Sequence, residues 1–244
     1  MMEKIDQLQA LIDKSQHLVF FGGAGVSTES GIPDFRSSEG LYSKDQGAQI
    51  PAEEVISHHY FMAHPEEFFA FYFEHLVFPE AEPNPVHRYL ADLEARGKEV
   101  TVITQNIDGL HQKAGSQRVF ELHGSVWRNY CMDCGQAYAY EDLRQDRDGI
   151  PRCEKDQGIV RPDIVLYEEG LDASVLQAAV QALQEADLLI IAGTSLVVYP
   201  AAGLINYYGG KDLVLINKSP LQVAQKQSLI VFQDRVGRVF SALD

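Results

Sequence analysis

No stretch of the 244 residues approaches the roughly 20 consecutive apolar positions that a membrane-spanning helix needs, so a membrane is not an expected partner. Cysteine is scarce, with three residues, an odd number. The N-terminus, Met1-Met-Glu-Lys-Ile-Asp-Gln-Leu-Gln-Ala-Leu-Ile-Asp, reads as an amphipathic helix and has neither the basic start nor the unbroken apolar core of a signal peptide. Both features argue against a secreted disulfide framework, and the cytoplasm is the expected location. Basic residues are also few, 20 against 35 acidic ones for a formal net charge of -15. That balance opposes nonspecific nucleic-acid binding and favours basic partners such as lysine-rich polypeptide segments. A hydrophobic share of 45% with 23% charged residues is ordinary for a globular chain able to bury a large core, as one α/β domain or as a large domain with a small insertion.

Short apolar runs end repeatedly in small or polar residues. His17-Leu-Val-Phe-Phe21 leads into glycines, Val100 to Thr104 into Gln105-Asn-Ile-Asp-Gly-Leu-His111, and Asp187 to Ala192 into Gly193-Thr-Ser195. Asp212 to Ile216 leads into Asn217, and Leu229 to Phe232 into Gln233-Asp234. Helix-like stretches, Val86 to Arg96 and Ala173 to Ala186, lie between them. Alternating strands and helices predict a doubly wound parallel sheet, in which ligands sit beyond the carboxyl ends of the strands near a topological switch point.

The densest motif is Gly22-Gly-Ala-Gly-Val-Ser-Thr-Glu-Ser-Gly-Ile-Pro-Asp-Phe-Arg36. Glycines directly after a buried strand let the main chain approach a ligand, so that amide N–H groups can face a pyrophosphate. The spacing Gly23-x-Gly25-x-Ser27 does not match Gly-x-Gly-x-x-Gly, so the ordinary dehydrogenase fingerprint does not fit. A tight strand-to-helix connection with no ligand would read the same from the turn alone. Asp34-Phe35-Arg36 close by is costly in a plain loop and useful beside a charged cofactor.

Two segments interrupt the sheet pattern. Residues from about Ser37 to Glu82 are rich in aromatics, read as helices joined by loops, and the aromatic set reads as core. The second holds all three cysteines: Cys131-Met-Asp-Cys134 and, after eighteen intervening residues, Cys153-Glu-Lys-Asp156 have the spacing of two zinc knuckles. Carboxylate oxygen is an acceptable but harder zinc ligand, so a degenerate knuckle without metal stays open.

In their order, Gly23-Ala-Gly-Val-Ser27 with Gly31-Ile-Pro-Asp-Phe-Arg36, Thr104 to His111, Glu121-Leu-His-Gly124, the cysteine pairs, Arg161-Pro-Asp-Ile-Val165 and Gly193 to Ala202 resemble the sirtuins over nearly the whole chain. The resemblance implies an NAD-dependent protein lysine deacylase. Its fold would be a Rossmann-like domain (1–36, 84–126 and 160–244) with a helical insertion (37–83) and a small zinc-ribbon-type module (127–159). Ala24, Gly25 and Thr28 would approach the cofactor phosphates, and Phe35 and Arg36, with Asp34, would cover the nicotinamide ribose from a mobile loop. Gln105, Asn106, Ile107 and Asp108 would hold the ribose and nicotinamide ends, Gly193, Thr194 and Ser195 the phosphate or ribose oxygens, Asn217 the adenosine ribose, and Asp234 the adenine side. Cys131, Cys134, Cys153 and Asp156 would hold one structural zinc.

By the same resemblance, the acyl oxygen of a modified lysine attacks the ribose carbon bearing nicotinamide. His123, assisted by Asn106, then serves proton transfer, and NAD is consumed with release of O-acyl-ADP-ribose. An imidazole with a pKa near 6.5 suits that task. The acyl-lysine peptide would lie as a strand between Val165 to Glu169, including Tyr167, and Ser195 to Tyr199, including Val197, a mode that uses main-chain hydrogen bonds. Three departures from the family pattern stand out: Asp156 for a fourth cysteine, Glu168 where glycine is common, and His75 three residues after Tyr72 where an arginine would serve acidic acyl groups. The last favours short neutral acyl groups, acetyl first. Mono-ADP-ribosyl transfer or NAD hydrolysis in the same pocket and a noncatalytic NAD-sensing module are the open alternatives.

Overall fold

The computed structural model describes residues 2–37, 40–44, 50–221 and 228–244. The expected helical insertion (37–83) therefore lies partly outside the described residues, at 38–39 and 45–49. The strands are β1 (His17–Gly22), β2 (Glu99–Thr104), β3 (Val119–Glu121), β4 (Gly124–Cys131), β5 (Ala137–Ala139), β6 (Val160–Ile164), β7 (Leu188–Ala192), β8 (Asp212–Ile216) and β9 (Ser228–Phe232). The helices are α1 (Met2–Lys14), α2 (Leu41–Lys44), α3 (Ala52–Val55), α4 (His58–Ala63), α5 (Pro65–His75), α6 (Pro85–Ala95), α7 (Leu110–Ala114), α8 (Ala173–Glu185) and α9 (Val236–Phe240).

Six strands form one sheet in the order β3-β2-β1-β7-β8-β9, parallel throughout. The order reverses between β1 and β7, so the chain leaves the sheet in opposite directions there and a crevice opens beyond Gly22 and Ala192. β1 is buried along its whole length because both faces of the sheet are covered, which is why its sequence is apolar and does not alternate. Leu18 and Phe20 pack with α1, α6 and α9 on one side, and Val19 and Phe21 with α8 on the other.

Helix starts are set locally. Asn84 caps α6 by accepting from Val86 N at 3.0 Å, with Pro85 at the first helical position, while His87 Nδ1 accepts in return from Asn84 N at 3.2 Å. The Asn84 amide also donates to Val26 O (2.7 Å) and Ser30 Oγ (3.0 Å), tying α6 to the glycine-rich turn. Asp172 caps α8 by accepting from Ser174 N and Val175 N.

The described part of the insertion folds as α2 to α5, and its aromatics are core: Phe61, Phe68, Phe69 and Tyr72 are all but fully buried against Val126, Ile164 and Leu166. β6 pairs antiparallel with β4, and β4 with β5, in a separate three-stranded sheet. Residues 124–126 and 160–164, placed from the sequence in the large domain, thus pair within this second sheet and not with the six-stranded one. Backbone pairing decides this, and the charged, proline-containing β6 gives little sign of it.

Candidate active site

The crevice is a cavity of about 830 Å³ bordered by all fourteen expected cofactor positions, by Asn106 and His123, and by Val165, Tyr167 and Glu169. Val197 is not among the lining residues. It is 56% exposed, and its neighbours Val198 and Tyr199 reach the cavity instead.

The floor is a close crossing of two backbones. Gly25 N donates to Gly193 O at 2.8 Å and Gly23 N to Ala192 O at 3.1 Å. A Cβ on Gly25 would lie 2.8 Å from Gly193 Cα, and Gly193 itself has φ +59, so side chains are excluded on both strands of the crossing. Gln105 N donates to Gly22 O, which brings the segment after β2 to the same point. The Gln105 side chain then donates to Thr194 Oγ1 at 3.0 Å, closing a ring of contacts around β1.

A chain of polar groups runs along one wall. Asn106 Nδ2 donates to Ser27 Oγ (3.0 Å), and Ser27 Oγ donates to Asp108 Oδ2 (2.6 Å). The other oxygen of Asp108 accepts from Leu110 N, starting α7, and Trp127 Nε1 donates to Asp108 O at 2.7 Å. Burial pushes the Asp108 carboxyl up from its ordinary range, and the Ser27 and backbone donors oppose that shift. Ser27 is the residue sequence reasoning missed. Its place in Gly23-x-Gly25-x-Ser27 was the available signal, but its bridging role appears only once β1 and β2 are in register.

His123 comes just after β3, and its backbone carbonyl accepts from Val165 N, so the residue sits where the six-stranded and three-stranded sheets meet. Its Nδ1 lies 2.9 Å from Gln105 O. A carbonyl only accepts, so Nδ1 carries the hydrogen and Nε2 holds the free lone pair. Burial pushes the imidazole pKa below its ordinary value, outweighing the backbone hydrogen bond that raises it. The ring is therefore neutral at pH 7.

The Asp34-Phe35-Arg36 loop is shaped by Asp34, whose Oδ1 accepts from Arg36 N (3.0 Å) and Ser37 N (2.7 Å). On the opposite wall, Tyr167 is held through its backbone by Ile56 and His58. Glu169 accepts from Arg161 at 2.7 and 3.0 Å, from Leu166 N, and pairs with His58 at 2.8 Å. Its carboxylate is thus committed to fixing the segment. Glu168 adopts φ +76, the left-handed conformation that glycine takes most easily, and pairs with His59 at 2.8 Å. The Tyr72 ring lies in the core and does not line the cavity, which is bordered by His75, Leu76 and Phe78 instead. Tyr72 and His75 therefore do not face the cavity as a pair.

The ligand atoms of Cys131, Cys134, Cys153 and Asp156 all lie within 4.8 Å of one another. Cys134 Sγ and Cys153 Sγ are 3.7 Å apart, close to the roughly 3.8 Å edge of a tetrahedron with zinc–sulfur bonds of about 2.3 Å. Gly158 N donates to Asp156 Oδ1 and Tyr138 Oη to Cys153 Sγ, contacts that orient ligands from behind. Four donors of this kind could hold a zinc ion, and the spacing fits it. Among the described residues no helix is long and apolar enough to cross a membrane.

The Sir2 family model matches residues 23–200. An NAD-dependent protein deacetylase of Clostridium perfringens is 55% identical over 240 residues, covering 98% of each chain. One of Clostridium acetobutylicum is 51% identical over 243 residues, covering 100% of this chain and 99% of the relative. A solved Sir2 structure with a deacetylated p53 peptide and 3′-O-acetyl ADP-ribose superposes with a TM-score of 0.86 at 38% identity, covering 98% of this chain and 96% of that one.

Proposed function

The chain belongs to the Sir2 family of NAD-dependent protein deacetylases, and from that premise we propose that it removes short neutral acyl groups, acetyl first, from protein lysines and releases O-acetyl-ADP-ribose. One observation carries the reading. A half-buried neutral imidazole, with its tautomer fixed by Gln105 O, borders the same cavity as the glycine crossing and the Val165–Glu169 segment.

The residues fit NAD: a backbone crossing free of Cβ atoms for the pyrophosphate, hydroxyls of Thr194 and Ser195 beside it, and the Asn106–Ser27–Asp108 chain at the nicotinamide end. When bound, NAD supplies the ribose carbon that receives the acyl oxygen and the hydroxyl that takes the acyl group. His123 Nε2 accepts the proton of that hydroxyl, and its Nδ1–H keeps its bond to Gln105 O, so the ring need not turn. Asn106 is held by Ser27 Oγ and by Thr104 Oγ1, which accepts from Asn106 N at 3.0 Å, and so presents its amide without reorganisation. Phe35, on the loop that Asp34 shapes, excludes water.

The acyl-lysine strand would use main-chain bonds to 165–169 on one side and 195–199 on the other. The last residue of α5 and the turn after it offer His75, Leu76 and Phe78 to the cavity, and among the described residues this stretch adds no lysine or arginine to pair with an acidic acyl group. The test is a panel of acetyl-, propionyl- and succinyl-lysine peptides with NAD, read by mass spectrometry. Acetyl should turn over fastest and succinyl least. Equal succinyl turnover refutes the acyl preference, and nicotinamide release with labelled protein but intact peptide points to ADP-ribosyl transfer.

A further inference from the structure

One hydroxyl joins the two halves of the cavity. Tyr167 Oη accepts from Arg36 Nη2 at 3.2 Å and shares a hydrogen bond with Tyr42 Oη at 3.0 Å. Arg36 and Phe35 belong to the loop over the cofactor side, and Tyr167 to the segment that would receive the peptide strand. We propose that Tyr167 is a positioning residue that holds Arg36 in place, so that order imposed on the peptide segment is transmitted to the cofactor loop.

Both ends of the link are anchored. The Tyr167 backbone accepts from His58 N (3.0 Å) and donates to Ile56 O (3.1 Å), so its ring springs from a fixed ribbon. Tyr42 N donates to Phe35 O at 2.9 Å, its ring lies 5.5 Å from that of Phe35, and the Arg36 guanidinium sits 5.4 Å above it. The Glu53 carboxylate is 3.9 Å from Arg36 and exposed, a weak competitor. Burial keeps the Tyr42 phenol protonated at any physiological pH, so the shared hydrogen is not lost. Phenylalanine at 167 would keep the packing and remove only the link.

The inference rests on the deacetylase reading, and coupling between sites is reciprocal: if peptide steadies Arg36 for NAD, NAD steadies the segment for peptide. The test is calorimetric titration of a carbocyclic NAD analogue, which cannot lose nicotinamide, with and without saturating acetyl-lysine peptide. In the wild-type protein, peptide should tighten the analogue by about fivefold or more, the lower end of ordinary coupling. Tyr167→Phe should reduce that factor below about twofold. Tyr42→Phe should act in the same direction, and the double variant should lose no more than the larger single loss.

Wild-type coupling in Tyr167→Phe overturns the proposal. So does an equal weakening of each ligand measured alone, which would mean general disorder of the segment. Turnover of acetyl-lysine peptide is measured on the same wild-type preparation. Turnover without Tyr167-dependent coupling overturns the link and leaves deacetylation standing, whereas absence of turnover overturns both.

Discussion

Replacing His123 by asparagine separates the two jobs of the ring. The amide can still donate to Gln105 O, where Nδ1–H now sits at 2.9 Å, but it offers no basic nitrogen at the Nε2 position. The local frame should survive, since His123 is held mainly through its backbone carbonyl to Val165 N and the flanking Leu122 N to Thr104 O. A positioned general base typically contributes about 10²- to 10⁴-fold, equivalent to roughly 2.7–5.5 kcal/mol of barrier. Deacetylation of a saturating acetyl-lysine peptide, tracked by mass spectrometry, should fall by that factor while affinity for an unreactive NAD analogue stays within a few fold. The wild-type pH profile checks the same assignment. The folded pKa lies below 6.5 and the neutral ring is the active form, so the acid limb should lie below pH 6.5, with activity rising with pH through it and then levelling off. An asparagine variant within tenfold of wild type, or an acid limb centred above pH 6.5, would falsify the assignment of His123 as base.

His87 should make stability depend on acid. It is fully buried, and burial lowers its pKa from 6.5 to about 4. A histidine with a depressed folded pKa binds protons more readily when unfolded, so its contribution is fully present above pH 6.5 and is lost as pH falls toward 4. Denaturant unfolding should show a loss on the order of 2 kcal/mol between pH 7 and pH 5 from this group, and His87→Gln should flatten the slope by that amount; an unchanged slope would rule the group out. In the small module, elemental analysis should find one zinc per chain, and Asp156→Cys should bind it at least about tenfold more tightly in chelator competition, since thiolate is the softer ligand; protein free of stoichiometric metal rejects the site. Glu168 should favour substrates with a basic residue beside the acyl-lysine, and Glu168→Gly should shrink that preference roughly two- to fivefold; an unchanged ratio of kcat/KM for basic and neutral peptides would refute it.

Legibility in the chain depends on how locally each feature is encoded. β1, β7 and β8 are continuous apolar runs because helices cover both sheet faces, and that composition survives without any knowledge of partners. β6 is different: Arg161 and Pro162 make it look like loop, and only pairing with β4 reveals it as a strand. The same holds for the site. His123 and Asn106 stand in ordered motifs, whereas the Ser27 bridge depends on the register that sets Gly22 opposite Thr104, and the Tyr42–Tyr167 contact spans 125 positions. Tyr72 was legible as one of the aromatic core set, and its ring does turn inward, to stack with Phe68 and meet Phe69 edge-on. Helical spacing names a face, but which face is buried is decided by what packs against it.

The glycine turn departs from the dinucleotide fingerprint at Thr28, where a third glycine would stand. In that fingerprint the third glycine lets an α-helix pack closely on the preceding strand. Here no α-helix comes directly after β1; the chain makes two short 3₁₀ turns, Ala24–Val26 and Thr28–Ser30, and leaves them at Gly31 with φ +85. With no helix to seat, the small residue is unnecessary, and Thr28 Oγ1 donates instead to Gly25 O at 3.1 Å, bracing the turn from within. The Asn84 amide supplies the outer brace at Val26 O and Ser30 Oγ. The residues that a helix would have consumed then run on as the loop through Asp34, Phe35 and Arg36, which borders the cavity beside His123. A hydride-transfer enzyme needs the cofactor held and returned; a site that cuts it needs cover over the bond to be broken. Thr28 in that position goes with a loop that borders the cavity, and the Arg36–Tyr167 contact joins that loop to the 165–169 segment.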